Sequence, residues 1–226
     1  MNIEDIVKQV KPSIALVVSK LPDNQISTGS GFVFGGINIL VTCNHVIKNA
    51  NSTLLKFSGA KQLIDSKVVL SDHEHDLALL KFDDPTRNPL PIIENPDKVT
   101  EGTQIVFSGY PFSSEDLTTH QGIISSITTD ATGIMSYLID GTVNSGNSGC
   151  PLLNMDGKVI GVVNAKRRNR NELLEKVEGL SVGALSLHGL DIIEIYQALT
   201  SNIQLGVGYA VPAKYIPEHK NTTPQQ

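Results

Sequence analysis

Residues 141–151 read Gly-Thr-Val-Asn-Ser-Gly-Asn-Ser-Gly-Cys-Pro. Glycines and asparagines crowd around Ser148, and a strand-like Leu152-Leu153 follows at once. A serine between Gly146-Asn147 and Gly149 sits where the backbone can turn sharply. Both its hydroxyl and nearby N–H groups are then exposed. An acyl-transfer nucleophile needs both: a reachable oxygen, and donors aimed at the oxyanion that forms beside it. Such clusters also mark ordinary loops between strands, so the stretch takes its chemical meaning from partners elsewhere.

Two other stretches offer them. Val41-Thr-Cys-Asn-His-Val-Ile47 puts His45 just after an apolar run, and His75-Asp-Leu-Ala-Leu-Leu-Lys81 puts Asp76 at the mouth of another. In the order His, Asp, Ser the three resemble the trypsin-like (chymotrypsin-fold) serine peptidases, and their wording is most similar to the HtrA/Deg-type peptidase domain. Gly-Asn-Ser-Gly ahead of Pro-Leu-Leu, Asn-His-Val after the threonine, and Gly206-Val-Gly-Tyr-Ala-Val-Pro212 carry that likeness. It spans residues 5 to 216.

The resemblance implies an all-β fold of two six-stranded antiparallel β-barrels with a C-terminal helix; the helical insertion is read from the residues themselves. It also implies a serine endopeptidase acting on a peptide or protein substrate. Ser148 is then the nucleophile, His45 the general base, and Asp76 the ionised carboxylate that orients the imidazole. The backbone of Gly146, Asn147 and Ser148 forms the oxyanion hole; the N–H groups of Gly146 and Ser148 donate and Asn147 holds the loop shape. The primary specificity pocket lies between Thr142-Val143-Asn144 and Val162-Val163-Asn164. With no carboxylate at Thr142, a small or medium apolar residue before the cut is expected.

Length and composition agree. A chain of 226 residues suits one trypsin-like peptidase domain over 1–226: lobe 1 at 12–84, an inter-lobe connection at 85–101, and lobe 2 at 102–216. No residues are left over for a further recognition domain such as PDZ. A net charge of -5 argues against nucleic acid as a partner. The two cysteines make no disulfide framework. The acidic start, Met-Asn-Ile-Glu-Asp, is unlike a signal peptide, and no apolar run is long enough to span a bilayer. A cytoplasmic protein with no membrane partner and no cofactor is therefore expected. Most relatives of HtrA type are exported, so this reading departs from the family's habit.

Along the chain, Ile3, Ile6, Val7 and Val10 have helical spacing, and Pro12 ends the run. Strands are predicted at 14–19, 27–34, 39–42, 53–57, 67–70 and 77–82, the last closing a first barrel. The proline-rich stretch 83–100 connects the lobes. Further strands are predicted at 103–108, 118–128, 135–140, 151–153, 159–163 and 206–211, with a hairpin turn at Asp156-Gly157. Many short strands at regular spacing argue a barrel pair. Residues 168–202 break the pattern. Asn171–Glu178 and Leu190–Leu199 have helical periodicity, so a helical hairpin around Gly179 to Gly189 is predicted as an insertion. It is a candidate sensor or docking surface for a regulatory protein, beside the plainer reading of a helical pair that covers the barrel. Pro212 to Pro217 begins the predicted C-terminal helix.

Other residues compete for these roles. Ser145 is a second serine in the loop, but the family's nucleophile follows Gly-Asn. His73, His75 and His120 compete with His45; Asp72, Asp83 and Asp84 compete with Asp76. His73 and His75 make a weak metal pair without a cysteine or further histidine nearby. Asn147 stands where zymogen-derived relatives carry an aspartate that pairs with a cleaved N-terminus, so no proteolytic activation is expected. Activity is expected to depend on loop ordering. Cys43 and Cys150 flank the proposed catalytic residues and are read as buried thiols or as a redox pair. The rival function is a latent protease-fold module that binds peptides. An α/β-hydrolase esterase is disfavoured, because its elbow requires Gly-x-Ser-x-Gly and a downstream histidine.

Overall fold

The computed structural model describes residues 1–22, 25–36, 38–165, 180, 182–195 and 207–218. Helix α1 (Ile3–Val10) opens the chain. Asn2 caps it, its side-chain oxygen accepting from the Asp5 N–H at 2.8 Å, with Glu4 and Asp5 at the positive end of the helix dipole. Ile6 and Val10 are its buried stripe.

Six strands follow: β1 (Ile14–Lys20), β2 (Ile26–Val33), β3 (Ile39–Cys43), β4 (Ser52–Phe57), β5 (Ile64–Asp72) and β6 (Leu77–Phe82). Helix α2 (Asn44–Ile47) sits directly after β3. The strands close into a barrel in the order β1-β2-β3-β6-β5-β4. The seam is the β1–β4 pairing, Ala15 facing Phe57; β6, predicted to close the barrel, lies inside the order between β3 and β5. Alternation positions the core: in β4, Thr53, Leu55 and Phe57 are buried while Ser52, Leu54 and Lys56 are less so.

A second closed antiparallel barrel uses β7 (Gln104–Gly109), β8 (Thr118–Thr129), β9 (Met135–Asp140), β10 (Pro151–Leu153), β11 (Val159–Asn164) and β14 (Val207–Pro212). Its order is β10-β11-β14-β9-β8-β7. One apolar cluster, centred on Ile105, Phe107 and Ile139, fills this barrel. The other fills the first barrel and continues across the lobe boundary through Tyr110, Leu153, Val162 and Val211. The boundary is therefore packed like a core, which fixes the lobes against each other.

The insertion differs from its predicted form. Where the sequence suggested the turn of a helical hairpin, the described residues form a small β-hairpin, β12 (Ser186–Leu187) with β13 (Leu190–Asp191). His188 and Gly189 form its turn, both at positive φ, a geometry that matches the twist of two short strands. Helix begins only at 192, with Asp191 accepting from the Ile193 and Glu194 N–H groups. The helix predicted at Asn171–Glu178, and residues 196–206, lie outside the described residues. The predicted C-terminal helix is also corrected: a single 3₁₀ turn, Ala213–Tyr215, ends in extended backbone at Ile216. Pro217 accounts for this, because the residue before a proline is pushed out of the helical region. Residues beyond 218 lie outside the described residues.

Candidate active site

The site lies in the seam between the barrels. β3 and α2 deliver His45, and the turn before β6 delivers Asp76, both from the first barrel. The loop before β10 delivers Ser148 from the second. A hydrogen-bonded chain joins the three: His45 Nδ1 lies 2.5 Å from Asp76 Oδ2, and His45 Nε2 lies 3.0 Å from Ser148 Oγ. An ionised carboxylate only accepts, so Nδ1 carries the proton and Nε2 is free to accept from the Ser148 hydroxyl.

Asp76 is held from several sides. The His45 backbone N–H donates to Oδ1 at 2.8 Å, and the Asn164 amide donates to Oδ2 at 2.9 Å. Its backbone is at φ 56°, a left-handed geometry that aspartate tolerates better than most residues. Burial alone would raise its carboxyl pKa. The hydrogen bonds and charge of His45, with the Asn164 amide, outweigh burial and hold it below the ordinary carboxylate value.

The loop around Ser148 is pinned by its carbonyls. The Ser145 carbonyl accepts from the Phe112 N–H at 2.8 Å, and the Asn147 carbonyl from the Cys150 N–H at 3.0 Å. Across each trans peptide the N–H points opposite to the C=O. The N–H groups of Gly146 and Ser148 are thus turned away from these anchors, and neither has a carbonyl partner among the described residues. The Asn147 N–H is spent on the Asn144 carbonyl at 3.0 Å, so Asn147, included in the predicted hole, supplies loop shape and no free donor. Gly146 and Gly149 must be glycine: both have positive φ, and a Cβ would fall 2.2 Å from the Tyr110 carbonyl oxygen or 2.1 Å from the Ser30 carbonyl oxygen.

Ser30 on β2 is the strut between the barrels. Its N–H donates to the Ser148 carbonyl at 2.8 Å, and its hydroxyl donates to the Gly146 carbonyl at 2.7 Å while accepting from the Tyr110 N–H. The sequence predicts this stretch only as a strand, at 27–34. Asn164, expected in the specificity pocket, directs its amide at Asp76. Val162 and Val163 are fully buried, one in each apolar cluster. Every residue of β11 is buried, so the side chains of these two expected pocket residues pack in the core. On the facing segment, Thr142 is half-buried and Val143 packs over Gly208, while Asn144 is buried and receives the Asn147 N–H.

The rivals lie elsewhere. His75 pairs with Asp72 at 2.7 Å and stacks on Tyr215; His73 accepts from the Asn44 amide; His120 stacks on Phe107. Asp84 binds Thr86 and Arg87, and Asp83 lies past the end of β6. Ser145 is exposed. Cys43 and Cys150 are buried free thiols, and burial pushes both thiol pKa values up. Clefts of about 510 Å³ beside Ile3 and Val7, and of about 300 Å³ beside Ile93 and Val99, contain none of the triad residues.

The family comparison agrees with this geometry. The trypsin-like peptidase domain family matches residues 29–162, and the chain belongs to that family. A probable periplasmic serine endoprotease DegP-like of Rickettsia prowazekii (strain Madrid E) is 37% identical over 153 residues, covering 64% of this chain and 29% of the relative. Serine protease HTRA1A of Danio rerio is 31% identical over 174 residues, covering 71% of this chain and 36% of the relative. The chain thus spans about a third of the length of these curated relatives. Among solved structures, an HtrA-type protease AlgW with tripeptide superposes with a TM-score of 0.71 at 23% identity, covering 95% of this chain and 60% of that one. It is similar in fold.

Proposed function

We propose that this chain is a serine endopeptidase domain, acting through Ser148, His45 and Asp76 on peptide or protein substrates. The observation that carries the reading is the unbroken chain Asp76–His45–Ser148, at 2.5 and 3.0 Å. As Ser148 Oγ attacks a peptide carbonyl, His45 Nε2 takes its proton. The ionised Asp76 stabilises the imidazolium and keeps the ring in its tautomer. The N–H groups of Gly146 and Ser148 receive the oxyanion, and a lost donor of this kind costs about a hundred- to a thousandfold in rate. His45 then returns the proton to the leaving amine, and water repeats the cycle on the acyl-enzyme.

A second reading, a latent state, has an observation of its own. Ser148 Oγ also accepts the Ala165 N–H at 3.1 Å, just past the end of β11. That bond engages one of the two lone pairs of the hydroxyl and ties Ser148 to the end of the strand that leads into residues 168–202. The 168–202 segment follows closely and is the candidate site for a regulatory partner that draws Ala165 away. A fluorophosphonate probe tests both readings. Labelling of the wild type that is lost in Ser148→Ala supports the peptidase. A folded wild type that resists labelling, while a variant lacking 168–202 accepts the probe, supports latency. Resistance in both refutes the peptidase reading.

The buried free thiols support a reducing compartment, and we assign the chain to the cytoplasm, although DegP-like relatives are named periplasmic. Among the described residues, no helix is long and apolar enough to cross a membrane. Cell fractionation that finds the protein in the periplasm rejects the assignment.

A further inference from the structure

Cys43 ends β3 and brings its side chain to the same corner as Asp76. Its sulfur, a His45 ring nitrogen and an Asp76 carboxylate oxygen all lie within 4.8 Å of one another. The thiol is fully buried, and its partner among the described residues is the Val163 carbonyl at 3.4 Å. The His45 and Asp76 side chains remain 17% and 28% exposed, so an ion can approach along the carboxylate edge.

We propose that Cys43, His45 and Asp76 form an inhibitory site for a thiophilic divalent cation of the zinc class. Thiolate sulfur, imidazole nitrogen and carboxylate oxygen are the three donor types that zinc takes, with bonds of about 2.3, 2.0 and 2.0 Å. Tetrahedral geometry with those bonds sets the donors about 3.5 Å apart. The Nδ1–Oδ2 pair opens from 2.5 Å, and the wider separations close from at most 4.8 Å. Side-chain rotation suffices for both, and water takes the fourth position. One thiolate and one carboxylate cancel the double charge, so the partly buried complex carries no net charge, which avoids the desolvation cost of an uncompensated ion. Magnesium and calcium, which take oxygen donors, are excluded by the sulfur.

The protons balance. The cation displaces the Cys43 thiol proton to solvent, Asp76 stays a carboxylate, and the Nδ1 proton of His45 moves to Nε2. The net release is one proton. His45 then presents Nε2–H to Ser148 Oγ and cannot accept the hydroxyl proton. Binding stands on the donor geometry alone; the silencing of Ser148 rests on the peptidase reading.

The test is a Cd²⁺ titration of the full chain, followed by the ultraviolet thiolate-to-metal charge-transfer band, with Zn²⁺ as competitor. The band is expected in the wild type and in Ser148→Ala, and absent in Cys43→Ala. Zn²⁺ should erase it and, in parallel, suppress fluorophosphonate labelling. Cys43→Ala should raise the Zn²⁺ concentration for half-suppression roughly a hundredfold. Should Cys43→Ala fail to fold, His45→Ala at a partly exposed position serves instead and should weaken Cd²⁺ binding by a similar factor. No band in the wild type, a full band in Cys43→Ala, or unweakened Cd²⁺ binding by His45→Ala overturns the site. A band with undiminished labelling overturns the silencing. A wild type that the probe never labels, with or without metal, fits the latent state, and the band alone then judges the site.

Discussion

Ser30 holds Gly146 across the boundary between the two barrels, its buried hydroxyl donating to the Gly146 carbonyl at 2.7 Å. The bond fixes the peptide plane one step before Ser148. It ties the conformation of the nucleophile loop to a strand of the opposite lobe. Ser30→Ala leaves the Gly146 carbonyl and the Tyr110 N–H without this partner, at about 1–3 kcal/mol for each orphaned group. The variant should unfold at lower urea concentration. It should also lose roughly a hundredfold in the rate of fluorophosphonate labelling, if loop tilt spoils an oxyanion donor. Labelling at the wild-type rate would show that the loop holds its shape unaided.

Asn164 donates to the carboxylate oxygen that His45 Nδ1 also uses. A hydrogen bond to a charged group contributes about 1.5–3 kcal/mol. Asn164→Ala should lower kcat/KM about ten- to a hundredfold, and Asn164→Ser should recover part of the loss by restoring a donor. A drop in kcat with KM unchanged is expected, since the amide bonds the Asp76 carboxylate. A rise in KM alone would return Asn164 to the specificity pocket.

Asn147 is fully buried, and neither atom of its amide has a partner among the described residues. A carboxylate at this position would be a buried charge without a cation. Asn147→Asp is expected to destabilise the fold by ~3–5 kcal/mol at neutral pH, read as a lower urea midpoint. An unchanged midpoint would mean that a cation outside the described residues reaches this position.

Asp76 and Asp72 both have carboxyl pKa values below the ordinary 3.8. For Asp72, burial works against the shift, and the His75 and Glu74 N–H groups with the His75 charge overcome it. A depressed folded pKa means that the unfolded chain binds protons more readily. Stability from these groups is therefore complete above about pH 4 and drains as the pH falls through the folded values. Unfolding free energies measured from neutrality down to about pH 3 should show this acid limb. Asp72→Asn should shorten it. A limb identical in the variant would assign it to other carboxylates.

Legibility followed locality. Strand positions were readable because short apolar runs bounded by turn residues report burial; residues 135–140 and 77–82 are strands as predicted. The insertion misled because helical spacing around Leu190 also accommodates a short hairpin, and the His188-Gly189 turn is a backbone matter that periodicity does not register. The specificity pocket was less legible, because β11 is buried on both faces and no alternation separates a wall of the site from the core.

From the sequence alone came the family, the barrel class, and the identity of Ser148, His45 and Asp76 as candidates, since those rest on short motifs with their own local chemistry. Tertiary structure alone decided what surrounds them. Ser30 lies 116 residues from Gly146, and Asn164 lies 88 from Asp76. Cys43 joins Asp76 only because β3 pairs with β6. Contacts between distant segments depend on how two barrels close and pack, and no local pattern of residue types carries that information.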